Sequence, residues 1–204
     1  MKRLLLIAMF SIAIATAQAQ LTRVYAFGSG GVEANEGLAY QFGGASVWAD
    51  KWIISTAFLN VKRNADLPSD FKVHSGTGYP GLEYGTYPQA ETKFLYASAG
   101  RYIRYSRRIH FILDAGLGMA NGDVLSFRQG RSPVLQENKY SPNYCVTYSD
   151  KTSIGSIIRA GVDVSLANFT GIGFDLYYNY NGGGLHSNFG LNVRLIMGKT
   201  PMED

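Results

Sequence analysis

The sequence predicts an all-β chain: an eight-stranded antiparallel up-and-down transmembrane β-barrel, preceded by a cleaved signal peptide. Three observations predict it. Eight segments read as strands, and the last four alternate residue by residue between a large apolar set and a small, polar or charged set, which is the period of two of a strand. The connections between them alternate between tight turns and longer loops, so that the tight turns collect at one end. After residue 20, no segment keeps apolar residues at i, i+3, i+4 and i+7 over ten positions, which argues against helices.

The chain opens MKRLLLIAMFSIAIATAQAQ. Lys2 and Arg3 form a basic start, residues 4–15 an apolar core, and Ala17-Gln18-Ala19 a small-x-small cleavage site, the pattern of a secretory signal peptide. The apolar core is about a dozen residues long, short of the roughly 20 that a spanning helix needs. Residues 1–19 are therefore expected to be removed, leaving residues 20–204 as one β-barrel domain. That domain is rich in the residues of turning strands and interfacial rings, with 24 Gly, 14 Tyr and 11 Phe in the whole chain. The net charge of +4 falls to +2 once Lys2 and Arg3 leave, which gives no electrostatic case for nucleic acid. The lone cysteine, Cys145, forms no internal disulfide and reads as a loop thiol.

The predicted strands are residues 23–32, 38–49, 52–63, 93–105, 109–122, 153–167, 171–180 and 186–199. Strands two and three are joined by Asp50-Lys51, four and five by Ser106-Arg107-Arg108, six and seven by Asn168-Phe169-Thr170. Between strands three and four, and between five and six (residues 123–152), the sequence predicts long polar loops bearing tyrosines; a shorter loop, residues 33–37, and the Gly182-Gly183-Gly184 region make the other connections. An even strand number closes a meander with both ends on the tight-turn side.

Strand five sets Ile109, Phe111, Leu113, Ala115, Leu117 and Met119 against His110, Asp114, Gly116 and Gly118. Strands six and eight split likewise, and in strand seven Ile172, Phe174 and Leu176 oppose Gly171, Gly173 and Asp175. Each apolar face runs for about ten residues, enough to cross a bilayer when tilted. A soluble sandwich or lipocalin-like barrel binding an apolar ligand, the alternative class, would turn these faces inward. The membrane barrel turns them to lipid and keeps the Gly-rich, charged set inside. In strands one to four the register is open. There Arg101 is assigned inward, because a charge facing lipid at mid-bilayer costs about 2–4 kcal/mol.

With these features the chain resembles the small eight-stranded outer-membrane β-barrels of Gram-negative bacteria, the OmpA/OmpX and opacity-like, porin-family kind. The resemblance covers residues 20–199 and rests on architecture. One local match is NFGLNVRL, similar to the C-terminal signal read by the barrel-assembly machinery, with Asn188, Gly190, Val193 and Leu195 at its polar, glycine and hydrophobic positions. Aliphatic residues replace aromatic ones, and the chain continues into TPMED. The resemblance implies outer-membrane localisation, lipid and the assembly machinery as partners, and a mainly structural or surface-interaction role.

Counted from the tight turns, Arg101, Asp114, Asp163, Asp175 and Arg194 fall at one depth, with Arg159 and His110 one layer away. In an eight-stranded barrel, whose interior is just wide enough for side chains, these charges should pair and fill the lumen. A narrow or gated pore for small solutes is the alternative reading of the same residues. Trp48 and Trp52 flank a tight turn as an interfacial anchor. Tyr79, Tyr84, Tyr87, Tyr140, Tyr144 and Tyr148 in the long loops are candidates for recognising an extracellular ligand or surface partner, or else pack the loops together. His74 and His186 could meet Asp66, Asp70, Glu83 or Asp123 in an outer-rim hydrolase or acyltransferase site, but no HExxH or GxSxG motif accompanies them and no catalytic residue is assigned. No cofactor and no metal ligand set is expected.

Overall fold

The computed structural model describes residues 21–34, 37–72, 87–130 and 140–199. The signal-peptide segment, His74, Tyr79, Glu83 and Tyr84 lie outside the described residues. Eight strands follow in order: β1 (Leu21–Glu33), β2 (Gly37–Trp48), β3 (Trp52–Asn64), β4 (Gln89–Arg104), β5 (Ile109–Gln129), β6 (Tyr144–Ala167), β7 (Thr170–Asn181) and β8 (Asn188–Lys199). Each pairs antiparallel with its neighbour in sequence, and β8 returns to β1, from Val24↔Lys199 to Glu33↔Gly190. Closure leaves no strand edge within the ring, the condition for a sheet to exist in lipid.

Burial alternates with the pleat. Leu113, Leu117, Met119, Ile154, Ile158, Phe174, Leu176, Leu191, Val193 and Leu195 are exposed on the outer wall. Asp114, Arg159, Asp163, Asp175 and Arg194 are buried inside. An apolar exterior around a charged interior is the reverse of a lipocalin-like barrel, so that alternative does not hold. Along β4 the apolar wall ends outward at Glu91 and Lys93, where Asn60 of β3 donates hydrogen bonds to Glu91 and to the Tyr40 hydroxyl of β2. This polar line marks the outer margin of the band.

The expected loop 123–152 is corrected. Most of it is strand: β5 and β6 remain paired from Asp123↔Asp150 to Gln129↔Tyr144, well past the end of the β7 pairing at Gly155↔Asn181. VLSF and CVTY supply the β-branched and aromatic residues that favour extended backbone, and their polar surroundings disguise the continuing alternation. The result is a two-stranded ribbon standing on the barrel at the end opposite the tight turns.

Candidate functional site

The lumen is filled in layers. At the tight-turn end Arg23 hydrogen-bonds the Tyr102 hydroxyl, lies over the Tyr102 ring, and reaches His110 at 3.3 Å, while Tyr102 and His110 stack at 5.0 Å. Above them Arg194 lies between two carboxylates, 2.6 Å from Asp163 and 2.9 Å from Asp175, and Asp163 accepts a hydrogen bond from Tyr25. Arg159 pairs with Asp114 and donates to Ser55 Oγ at 3.0 Å, which contacts Ser98 Oγ at 2.7 Å. Both guanidinium groups cover the Phe27 ring, at 5.6 and 5.4 Å. Further out, Gln41 donates to the Tyr96 hydroxyl and accepts from Asn192, and Tyr177 donates to Glu33. Buried inside, Arg23, Arg63, Arg159 and Arg194 are matched by Glu33, Asp114, Asp163 and Asp175. For Arg159 and Arg194 the carboxylates of Asp114, Asp163 and Asp175 lie at close range, which makes burial of these ions tolerable.

Small residues make this packing fit. A Cβ on Gly173 would lie 2.5 Å from Asp163 Oδ1 and 3.0 Å from Arg194 Nε, and one on Gly190 would lie 2.7 Å from the Tyr177 hydroxyl. Between Arg23, Tyr25, Asp163, Ser165 and Gly171 is a cavity of about 10 Å³, room for about one water.

Strand tilt staggers the layers relative to the sequence count. Asp114 and Arg159, expected one layer apart, are direct cross-strand partners, while Asp163 stands opposite His110 and reaches Arg194 across Gly173. Arg101 is corrected outright: it is exposed on the outer wall with its guanidinium 4.6 Å from the Trp52 ring. Tyr96, Ser98 and Tyr102 face inward and fix the register of β4. Arg101 stands three residues from the strand end, near the interface, where the cost of an outward cation falls to about 0–1 kcal/mol.

Sequence reasoning missed Arg23, Tyr25, Phe27, Glu33, Tyr96 and Tyr102, all in the four strands whose register was open. In β1 the usual contrast is inverted, since the bulky rings point in and Val24, Ala26, Gly28 and Gly30 point out. The signal that could have found them is parity, because Arg23 and Glu33 share a face with Tyr25 and Phe27.

Trp48 and Trp52 are cross-strand partners on the outer wall beside their turn, with Trp52 exposed. Asn188 and Gly190 face inward, Val193 and Leu195 outward. Of the loop tyrosines, Tyr144 is corrected as a free contact surface. It is 9% exposed, stacks on Phe71 at 5.8 Å and donates to Asp70 at 2.6 Å. Phe71 also meets Phe127 edge-on, and Asn143 and Ser141 bind the backbone of residues 70–72, so this short segment after β3 is pinned against the ribbon. Tyr87 and Tyr148 are exposed, and Tyr140 lies against Tyr148 at 6.3 Å. His110 and His186 stand at opposite ends of the barrel. His186 is beside Arg63 and Asp66, and burial, then the Arg63 charge, lowers its pKa from 6.5.

A closed ring of eight tilted strands, an apolar outer band and a neutralised polar interior define an outer-membrane β-barrel fold. No family model matches the chain, and no curated protein matches it. Among solved structures, Neisserial surface protein A is 15% identical over 86% of this chain and 94% of its own, with a TM-score of 0.51. Ail of Yersinia pestis is 10% identical over 88% and 98%, with a TM-score of 0.47. The N-terminal β-barrel domain of Pseudomonas aeruginosa OprF is 9% identical over 88% and 98%, with a TM-score of 0.46. The likeness to the Neisserial protein is one of fold.

Proposed function

We propose that the chain is exported by its signal peptide into the outer membrane of a Gram-negative bacterium, where a filled barrel holds a surface-interaction element outside the cell. The carrying observation is the pairing of β5 and β6 beyond the ring, with its pinned aromatic base and exposed Tyr148. A rigid ribbon presents side chains to a partner at little entropic cost, and tyrosine adds contact area with few rotatable bonds. The lumen supports the same reading, since a conduit would not be crossed by two layers of ion pairs.

The test replaces residues 125–148 with a short Gly-Ser turn and compares cells displaying either form on arrays of glycans and extracellular-matrix proteins. Binding by the full chain that is lost in the shortened, still membrane-inserted form is the expected result. Equal binding by both forms would contradict it.

A narrow gated path is the second reading, favoured by the placement of Arg194 between Asp163 and Asp175, which offers it two alternative partners.

A further inference from the structure

The charges on the two rims differ. Beyond the outer margin, cations and carboxylates are evenly matched among the described residues. At the tight-turn end, the exposed charges among the described residues are Lys51, Arg101, Arg104, Arg107 and Arg108 against Asp50. Arg101 is the informative member. Its cross-strand partners are Trp52 on β3 and Leu113 on β5, both on the lipid-facing wall and both exposed. Its neighbour along the same face, Ile103, is exposed too, as is Tyr105 at the turn that follows. The cation is therefore set among lipid-facing side chains at the level where tryptophan rings meet headgroups. Among the described residues it makes no ion pair, and it faces an aromatic ring instead. The turn just below adds Arg107 and Arg108, with Ser106 Oγ accepting from the Arg108 and Ile109 backbone amides and holding the turn tight.

We propose that this rim is a binding surface for anionic phospholipid headgroups in the membrane leaflet next to the tight turns. Arg101 closes on a phosphate against the Trp52 ring, and the Arg107-Arg108 turn holds the headgroup of a neighbouring lipid. Guanidinium suits the task because its planar fork meets phosphate oxygens in pairs and stacks on an aromatic ring at the same time. Charge complementarity selects the occupant, since one acid against five bases favours an anionic headgroup over a zwitterionic one. The flanking apolar side chains select a lipid over a soluble anion. The inference rests on the membrane-barrel reading above.

The protein carries two tryptophans, Trp48 and Trp52, and both are at this rim, so their fluorescence reports the lipids bound there. The test reconstitutes the protein into phosphatidylcholine vesicles containing an equal mole fraction of brominated phosphatidylglycerol or brominated phosphatidylcholine. The anionic lipid should show a relative binding constant about five-fold higher, near the effect of one basic residue at an anionic surface. That ratio should fall toward one in high salt. Replacing the three residues together (R101Q, R107Q and R108Q) should bring the ratio to one at low salt while quenching by brominated phosphatidylcholine persists. Equal quenching of the wild-type protein by the two lipids at low salt would overturn the inference and leave the barrel reading intact, and a variant that kept the preference would overturn its assignment to these arginines. Quenching by neither lipid would overturn the membrane reading, and the inference with it.

Discussion

Asp175 has no water to turn to: it is 1% exposed, and its carboxylate faces the Arg194 guanidinium across the lumen. Replacing it by alanine leaves Arg194 with Asp163 alone and a buried cation partly uncompensated. Breaking a buried pair in this way costs about 3–5 kcal/mol, so Asp175→Ala should lower the urea midpoint of the refolded barrel clearly, and an unchanged midpoint would contradict the pairing. Gly190 is a steric counterpart. Gly190→Val must displace the Tyr177 ring and disturb its bond to Glu33, an overpacking cost of about 1–3 kcal/mol, read in the same unfolding assay. Asp114, Arg159, Asp163, Asp175 and Arg194 were legible in the sequence because each interrupts a clean apolar alternation, and a period of two admits only one face. Arg101 was not legible. Its strand offers mixed residues on both faces, and the cost argument that turned it inward applies at mid-bilayer, whereas depth along a tilted strand near the rim is set by the register of its neighbours.

The ribbon formed by β5 and β6 contains its own destabilising pair. Asp123 and Asp150 stand directly opposite each other, and the Asp123 pKa is raised from 3.8, first by burial and then by the contact with Asp150. An acid whose folded pKa is raised favours the folded form when protonated, and this contribution is lost as pH rises through the folded value. At neutral pH the pair therefore opposes the ribbon. Asp150→Asn should slow proteolytic cleavage of the ribbon at pH 7, in line with the 0.2–1 kcal/mol of a cross-strand pair, and the difference should close near pH 3. The β7–β8 connection responds in the other direction. His186 favours its neutral form in the fold, so its contribution is complete above pH 6.5 and is lost as pH falls from there toward its lowered folded value. A ring-proton titration should give a midpoint below 6.5, and a midpoint at or above 6.5 would contradict this placement. The barrel strands were legible to within a few residues from alternation and turn residues alone. The ribbon was not, because its polar loop composition concealed a pairing that depends on its partner strand and on the Phe71, Phe127 and Tyr144 cluster.

At the scale of the whole molecule, the exterior answers to lipid and the interior to itself. The outer wall is apolar between the Trp48 and Trp52 rim and the polar line at Asn60 and Glu91. Inside, ion pairs, ring stacks and interlocked glycines occupy successive levels. The first arrangement suits residence in a membrane, and the second is the basis for predicting closure to solutes. Single-channel recording of the refolded protein in a planar bilayer addresses the two together. Insertion, verified by protection of the barrel strands from protease, without stable current steps is the result predicted for a lumen closed by Arg159, Arg194 and their carboxylate partners. Stable openings of the wild-type protein would contradict it and would make the barrel a conduit.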